Sequence, residues 1–372
     1  MNKLSKKEYI LKAARLYGLT DFELKDLEDY LNGNFDNKYI AKRNIKLFRM
    51  YHTYISPKYN EHISVDENGI IDLDNYLFII SKRRLQDSKI GRDWLISSNL
   101  DSYLITNRHS SDINSKWIKI SEKNNFLLPQ IAKQLELPAT IYYKGKFPEK
   151  SQRLESVFFM TKDLLKDGES LILGDEIYKR KKDRVKIDFE DLLSETAKYI
   201  KRYYKKNKIN SSEAEKVKDE VRKGLIKQTI FNKLVFNNNE GNSKWGLIKQ
   251  EDSTLKLAPI YSFDYCSGVE SSGKSHHRVL HKKEDVETFI QEYADEEWFR
   301  KWIKEKVITL DIDKAINDMK NETGMNLTEK ENEYYKFSLK RNLDRIKNAY
   351  MQVFGESDSP KRVKEEPEDE IR

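Results

Sequence analysis

Cysteine is almost absent from this chain. The single Cys266 excludes an internal disulfide and any cysteine-built metal cluster. Long apolar runs are missing too. None approaches the ~20 residues that a membrane helix requires, and the Met1–Lys7 start has no signal-peptide apolar block. These absences lead us to expect a cytoplasmic protein with no membrane partner. Internal repeats are also lacking. What is present suits a folded chain: 38% hydrophobic and 35% charged residues, with five Trp, 21 Tyr and 16 Phe to fill cores. At 372 residues the chain is long enough for two or three of them.

Charge of one sign is scarce in any single stretch. The 69 basic and 62 acidic residues are interspersed, and the net is +7. The tail 356–372 holds seven acids against four bases, so the body before it carries the larger positive charge. Lys179–Lys182 and the KRYYKKNK run at 201–208 permit contact with a nucleic acid through a basic surface, and they equally suit solvated faces of Lys-rich helices.

Residues 1–60 read as helices. Ile10, Leu11, Ala14 and Tyr17 recur at helical spacing, Asp21 caps the next helix, and 38–55 is a third, stopped by Ser56-Pro57. From Asp101 the pattern changes. Strands are expected at 102–106, 116–120, 140–143 and 156–160, with a polar loop at 107–115 and a helix over 127–137 that starts near Pro129. Beyond Asp188 the chain reads mostly helical, over 189–207, 211–236, 283–305, 312–323 and 328–354. Two short strands at 245–249 and 255–260 interrupt it, and the last 17 residues lack apolar periodicity and are expected to be disordered.

Two segments carry chemistry by their pattern. One is Asn237–Ile248 (NNNEGNSKWGLI) and the other Leu257–Asp264 (LAPIYSFD). They resemble the N-x-D-R-H-x-x-N-W-x-I-I and L-A-P-x-Y-D motifs of the bacterial HipA-like kinase family, and the resemblance runs over roughly 102–354. It implies an α+β, bilobed protein-kinase-like fold, here preceded by an N-terminal helical extension. The implied domains are an extension over 1–90, a small β-rich N-lobe over 91–178, a helical C-lobe over 179–355 and an acidic tail over 356–372. It also implies ATP as ligand, with Lys119 as the strand lysine that reaches the phosphates and Ser110 and Ser111 in the phosphate-covering loop. That loop contains no glycine.

In the same register, Asn237, Trp245, Ile248, Leu257, Ala258, Pro259 and Tyr261 match the family, whereas Asn239 stands at the catalytic Asp, Lys244 at the metal-binding Asn and Ser262 at the metal-binding Asp. An amide is no base at neutral pH, and a hydroxyl is a poor sole Mg²⁺ ligand. Asp264, two residues beyond Ser262 and on the same face of a continuing strand, offers a carboxylate for catalysis or metal. The helix at 124–135 has no acid to orient the lysine, leaving Glu122 just before it. The resemblance therefore implies a degenerate kinase, a pseudokinase acting as a regulatory protein on a protein partner. The alternatives are an active atypical Ser/Thr kinase of toxin–antitoxin type using Lys119 and Asp264, and a DNA-associated regulator acting through basic N-terminal helices.

One motif points elsewhere. Gly268–Ser275 (GVESSGKS) matches G-x-x-x-x-G-K-S, and Val307–Asp311 (VITLD) imitates a Walker B strand. A P-loop needs a strand before it and a helix beginning at the Lys-Ser; here helical periodicity begins only near Lys283 and the rest reads all-helical, with no parallel sheet to carry the motif, so a surface loop is expected. His276, His277 and His281 have no carboxylate at a supporting spacing.

Overall fold

The computed structural model describes isolated positions between 11 and 32, then residues 70–72, 77–83, 92–96, 102–106, 116–146, 157–162, 164–166, 168–178, 189–236, 245–261, 263, 266 and 283–355. Over 70–106, 116–122, 144–160, 178 and 283–285 it describes the backbone alone. In chain order the elements are β1 (Ile70–Asp72), β2 (Leu77–Arg83), β3 (Arg92–Ile96), β4 (Ser102–Thr106), α1 (Lys116–Gln134), β5 (Tyr142–Lys146), β6 (Val157–Lys162) and β7 (Ser170–Leu173). There follow α2 (Gly174–Tyr178), α3 (Phe189–Lys206), α4 (Ser211–Leu234), β8 (Gly246–Lys249), β9 (Leu255–Leu257), α5 (Lys283–Glu292), α6 (Glu297–Trp302), a π-helical turn (Ile303–Val307), α7 (Ile312–Thr323) and α8 (Glu329–Phe354).

The chain divides into two compact units. The first takes residues 1–114, 140–170 and 318–326 and holds a six-stranded sheet in the order β1-β5-β6-β4-β3-β2. Only β1 and β5 run parallel; β2–β3, β3–β4, β4–β6 and β5–β6 are antiparallel. Residues 70–83, expected within a helical extension, thus supply two strands. The uninterrupted apolar run Leu77–Ile80 is a buried-strand signal that outweighs the helical periodicity upstream.

The second unit takes 115–139, 171–317 and 327–372. In α4 one buried stripe is Ala214, Val217, Val221, Leu225, Gln228 and Phe231, and Ile226, Ile230 and Leu234 bury a second face of its C-terminal half; in α8 the stripe is Tyr335, Leu339, Asn342, Leu343, Ile346 and Tyr350. Both of these helices are capped at their starts. The Asn210 side chain accepts from the Ser212 N–H at 3.0 Å, and Thr328 and Glu331 form a reciprocal capping box.

Helix α1 departs from expectation. Lys116–Ile120 is its first turn rather than a strand, because five alternating residues cannot distinguish the two periods. Trp117, Ile120, Asn124, Leu127, Ile131 and Leu135 continue one helical stripe. Pro129 then lies well inside the helix instead of at its start. Lacking an N–H, it cannot bond the Asn125 carbonyl one turn back. The Asn125 side-chain oxygen is also buried without a partner. The helix expected over 283–305 is broken into α5, α6 and the π-helical turn, closed by Ile308 N–H donating to Ile303 O at 2.9 Å.

Candidate functional site

The two motif segments grow out of elements of the second unit. Helix α4 ends on Leu234 and Val235, both fully buried, and Phe236 adopts φ 49°, a left-handed conformation that stops the helix. A carbonyl in the last helical turn has no partner along the helix, and here the Leu234 carbonyl accepts from the buried Asn342 Nδ2 of α8 at 2.8 Å. Asn237, Asn239 and Lys244 follow at once in sequence and lie outside the described residues.

The chain returns at Trp245, whose carbonyl accepts from the Gly174 N–H at 3.0 Å, and enters the β8–β9 hairpin. Side-chain volume is excluded at two points. A Cβ on Gly246 would sit 2.5 Å from the Ile172 carbonyl oxygen, and one on Gly224 of α4 would overlap the Leu257 Cδ2. Both glycines therefore permit close approach to the hairpin rather than unusual φ. Past β9 the segment stays pinned. The Ala258 N–H donates to Gly246 O at 2.9 Å, and the Gln228 side chain reaches the Ala258 carbonyl at 3.5 Å. Ile260 N–H donates to Pro138 O at 2.9 Å as part of a parallel bridge with Ala139. Burial, and secondarily the Asp175 carboxylate, pushes the Tyr261 phenol above its usual range, so it remains protonated.

Next comes a buried amide that the sequence reading passed over. Asn124 of α1 is fully buried; its Nδ2 donates to the Cys266 carbonyl at 2.9 Å and, at longer range, to the Phe263 carbonyl at 3.4 Å. Its Oδ1 accepts from the Tyr335 hydroxyl of α8 at 2.8 Å. Burial holds the Tyr335 phenol well above its ordinary pKa, which keeps it the donor. Phe263 and Cys266 are themselves fully buried, linked by a Cys266 N–H to Phe263 O bond of 3.2 Å, and Phe263 packs edge-on against Phe231 with centroids 6.3 Å apart. Ser262 and Asp264 lie outside the described residues. The available signal was the Asn124-Asn125 pair set in an apolar helical stripe, since buried amides imply dedicated partners.

Of the other expected residues, Lys119 is described by its backbone only, in the first turn of α1 and not in a strand. The longer helix also contains Glu122, so the helix does carry one acid. Ser110, Ser111, Gly268–Ser275, His276, His277 and His281 lie outside the described residues. Val307–Asp311 forms no strand. It follows the π-helical turn, with Leu310 N–H bonded to Val307 O at 3.2 Å, so the Walker B imitation has no sheet to stand in. Among the described residues no three His, Cys, Asp or Glu side chains are grouped to hold a metal, and no helix is long and apolar enough to cross a membrane.

No protein-family model matches the chain, and no curated protein matches it. Solved structures do. A Helicobacter pylori proinflammatory kinase, CtkA, superposes with a TM-score of 0.52 at 13% identity, over 76% of this chain and 97% of that one. HipA of Shewanella oneidensis MR-1, in a complex with HipB and operator DNA, gives a TM-score of 0.41 at 13% identity, over 94% of this chain and 88% of that one. The similarity to CtkA shows that the chain has a kinase-like fold.

Proposed function

We propose that this chain is a HipA-like pseudokinase. It binds a nucleoside triphosphate, transfers phosphate poorly or not at all, and regulates a protein partner. The kinase-like fold supports the scaffold. One contrast carries the reading. The frame on either side of both motif segments is buried and hydrogen-bonded, yet Asn239, Lys244 and Ser262 put no carboxylate at the motif positions for base and metal.

That donor set does not fit Mg²⁺. A hard cation wants several oxygen ligands, carboxylates among them, whereas the motif positions for metal hold Ser262 and the positively charged Lys244, and Asp264 stands two residues out of register. In this reading Lys244 meets the phosphates directly, with Lys119, Ser110, Ser111 and Ser262 as further nucleotide contacts. Phosphoryl transfer rests mostly on positioning and charge neutralisation, so a site without metal ligands holds the nucleotide without using it.

The test is thermal unfolding with ATP, with and without Mg²⁺, alongside a radiolabelled phosphate-transfer assay. ATP at a hundredfold excess over its dissociation constant should raise the melting temperature by roughly 5 °C without metal. Lys244→Ala should abolish the rise, and no label should be transferred. Transfer that Asp264→Ala abolishes would overturn this reading in favour of an active atypical Ser/Thr kinase, which shares the same scaffold. No thermal shift under either condition would remove the nucleotide altogether.

A further inference from the structure

We infer that helix α8 is a brace that sets both motif segments, with Tyr335 and Asn342 as positioning residues for nucleotide binding; the role in binding rests on the reading above. The two residues are seven positions apart, two helical turns, and so share one face of α8. Both are buried, at 0% and 3% exposure. From that face Asn342 holds the Leu234 carbonyl at 2.8 Å, three residues before Asn237. Tyr335 holds Asn124 at 2.8 Å, and Asn124 in turn holds the carbonyls of Phe263 and Cys266, on either side of Asp264.

Apolar packing alone would leave both segments free to slide, because contacts between hydrocarbon surfaces have no direction. Hydrogen bonds do have direction, and a carbonyl buried without its donor is costly, so each polar grip fixes a backbone position to within a few tenths of an ångström. The grips span 211 and 108 residues of sequence, so neither is a local cap. Both originate on one rigid helix. The distance between the end of α4 and the Phe263–Cys266 turn is therefore set by the two-turn separation of two side chains on α8.

The experiment uses the full chain and two hydroxyl deletions. Tyr335→Phe removes the grip on Asn124 and keeps the ring. Tyr293→Phe is the control: it removes a hydroxyl that bonds Glu190 at 2.5 Å and, among the described residues, has no hydrogen bond to either segment. ATP affinity is measured below the unfolding onset of both variants, together with hydrogen exchange in peptides covering 234–245 and 261–267. Tyr335→Phe should speed exchange in 261–267 and weaken ATP binding roughly tenfold, while Tyr293→Phe stays within about twofold of wild type.

Unchanged exchange in 261–267 would overturn the brace whatever the affinity does. Faster exchange with unchanged affinity would overturn its positioning role. If wild type binds no ATP, the proposed function has failed, and exchange alone still decides the brace. Asn342→Ser gives the same reading at 234–245 should Tyr335→Phe not fold.

Discussion

Asn124 and Tyr335 should behave as one thermodynamic unit, and a double-mutant cycle measures whether they do. Asn124→Ala strips the Cys266 carbonyl of its 2.9 Å donor and removes the acceptor of the 2.8 Å bond from the Tyr335 hydroxyl. Each loss costs about 1–3 kcal/mol, giving roughly 3–5 kcal/mol together. The 3.4 Å contact to Phe263 adds little, since it lies at the outer edge of hydrogen-bond geometry. Tyr335→Phe removes the donor to the Asn124 Oδ1, at about 1–2 kcal/mol. In the double variant neither group waits for the other, and the loss at the Cys266 carbonyl remains. Its cost should fall short of the sum of the single costs by roughly 3 kcal/mol. Urea unfolding followed by tryptophan fluorescence is the assay. Trp117, Trp245, Trp298 and Trp302 belong to the second unit and only Trp94 to the first, so the signal reports mainly the unit that contains the pair. Additivity to within about 0.5 kcal/mol, with unchanged m-values, would refute the coupling.

Two further outcomes follow from geometry and charge. Gly246→Ala drives a Cβ against the Ile172 carbonyl oxygen, backbone that no rotamer change can move, and should cost about 2–4 kcal/mol in urea unfolding. Gly224→Ala meets only the end of the Leu257 side chain and gains roughly 1 kcal/mol of helix propensity, so its net effect should stay within about 1 kcal/mol; the opposite ranking would be wrong for this packing. The Glu296 carboxyl is held below the usual range by two hydrogen bonds from Arg222 and, further down, one from Trp298. Its folded pKa being depressed, the stabilisation is fully present above the ordinary glutamate value of about 4.3 and is lost as pH falls through the folded value. Glu296→Gln should therefore unfold more easily at neutral pH, by roughly 1 kcal/mol or less because the pair is partly exposed, and the difference should close in acid.

Several elements could be read directly from the residues. Ile312–Thr323 appears with the boundaries its periodicity suggests, Thr328 opens α8 through a capping box spelled out in sequence, and Ser102–Thr106 is a strand. Local signals sufficed in each case. Elsewhere they fail where two periods fit one short stretch, as at Lys116–Ile120, or where a proline signals a helix start although α1 runs through it. At the candidate site the sequence supplied the motif register and the substitutions within it. It could not supply the Asn124–Tyr335 contact, because a polar residue's partner is a property of tertiary structure.

The π-helical turn fixes a length rather than a chemistry. Just before it, the Trp302 indole N–H donates to the Leu135 carbonyl at 3.0 Å. Just after it, Gln134 and Asp311 exchange two hydrogen bonds, of 2.9 and 3.0 Å. Both anchor points lie at the C-terminal end of α1, so residues 303–310 form a link clasped at each end. Removing one residue from this link would restore a regular helix, rotate all that follows by about 100° and shorten the span by ~1.5 Å. Exposed side chains along the stretch, Glu305 and Thr309, can change one at a time, while Ile303 and Val307 are fully buried and an insertion or deletion would release one of the two clasps. The surplus residue thus makes this segment strict in count.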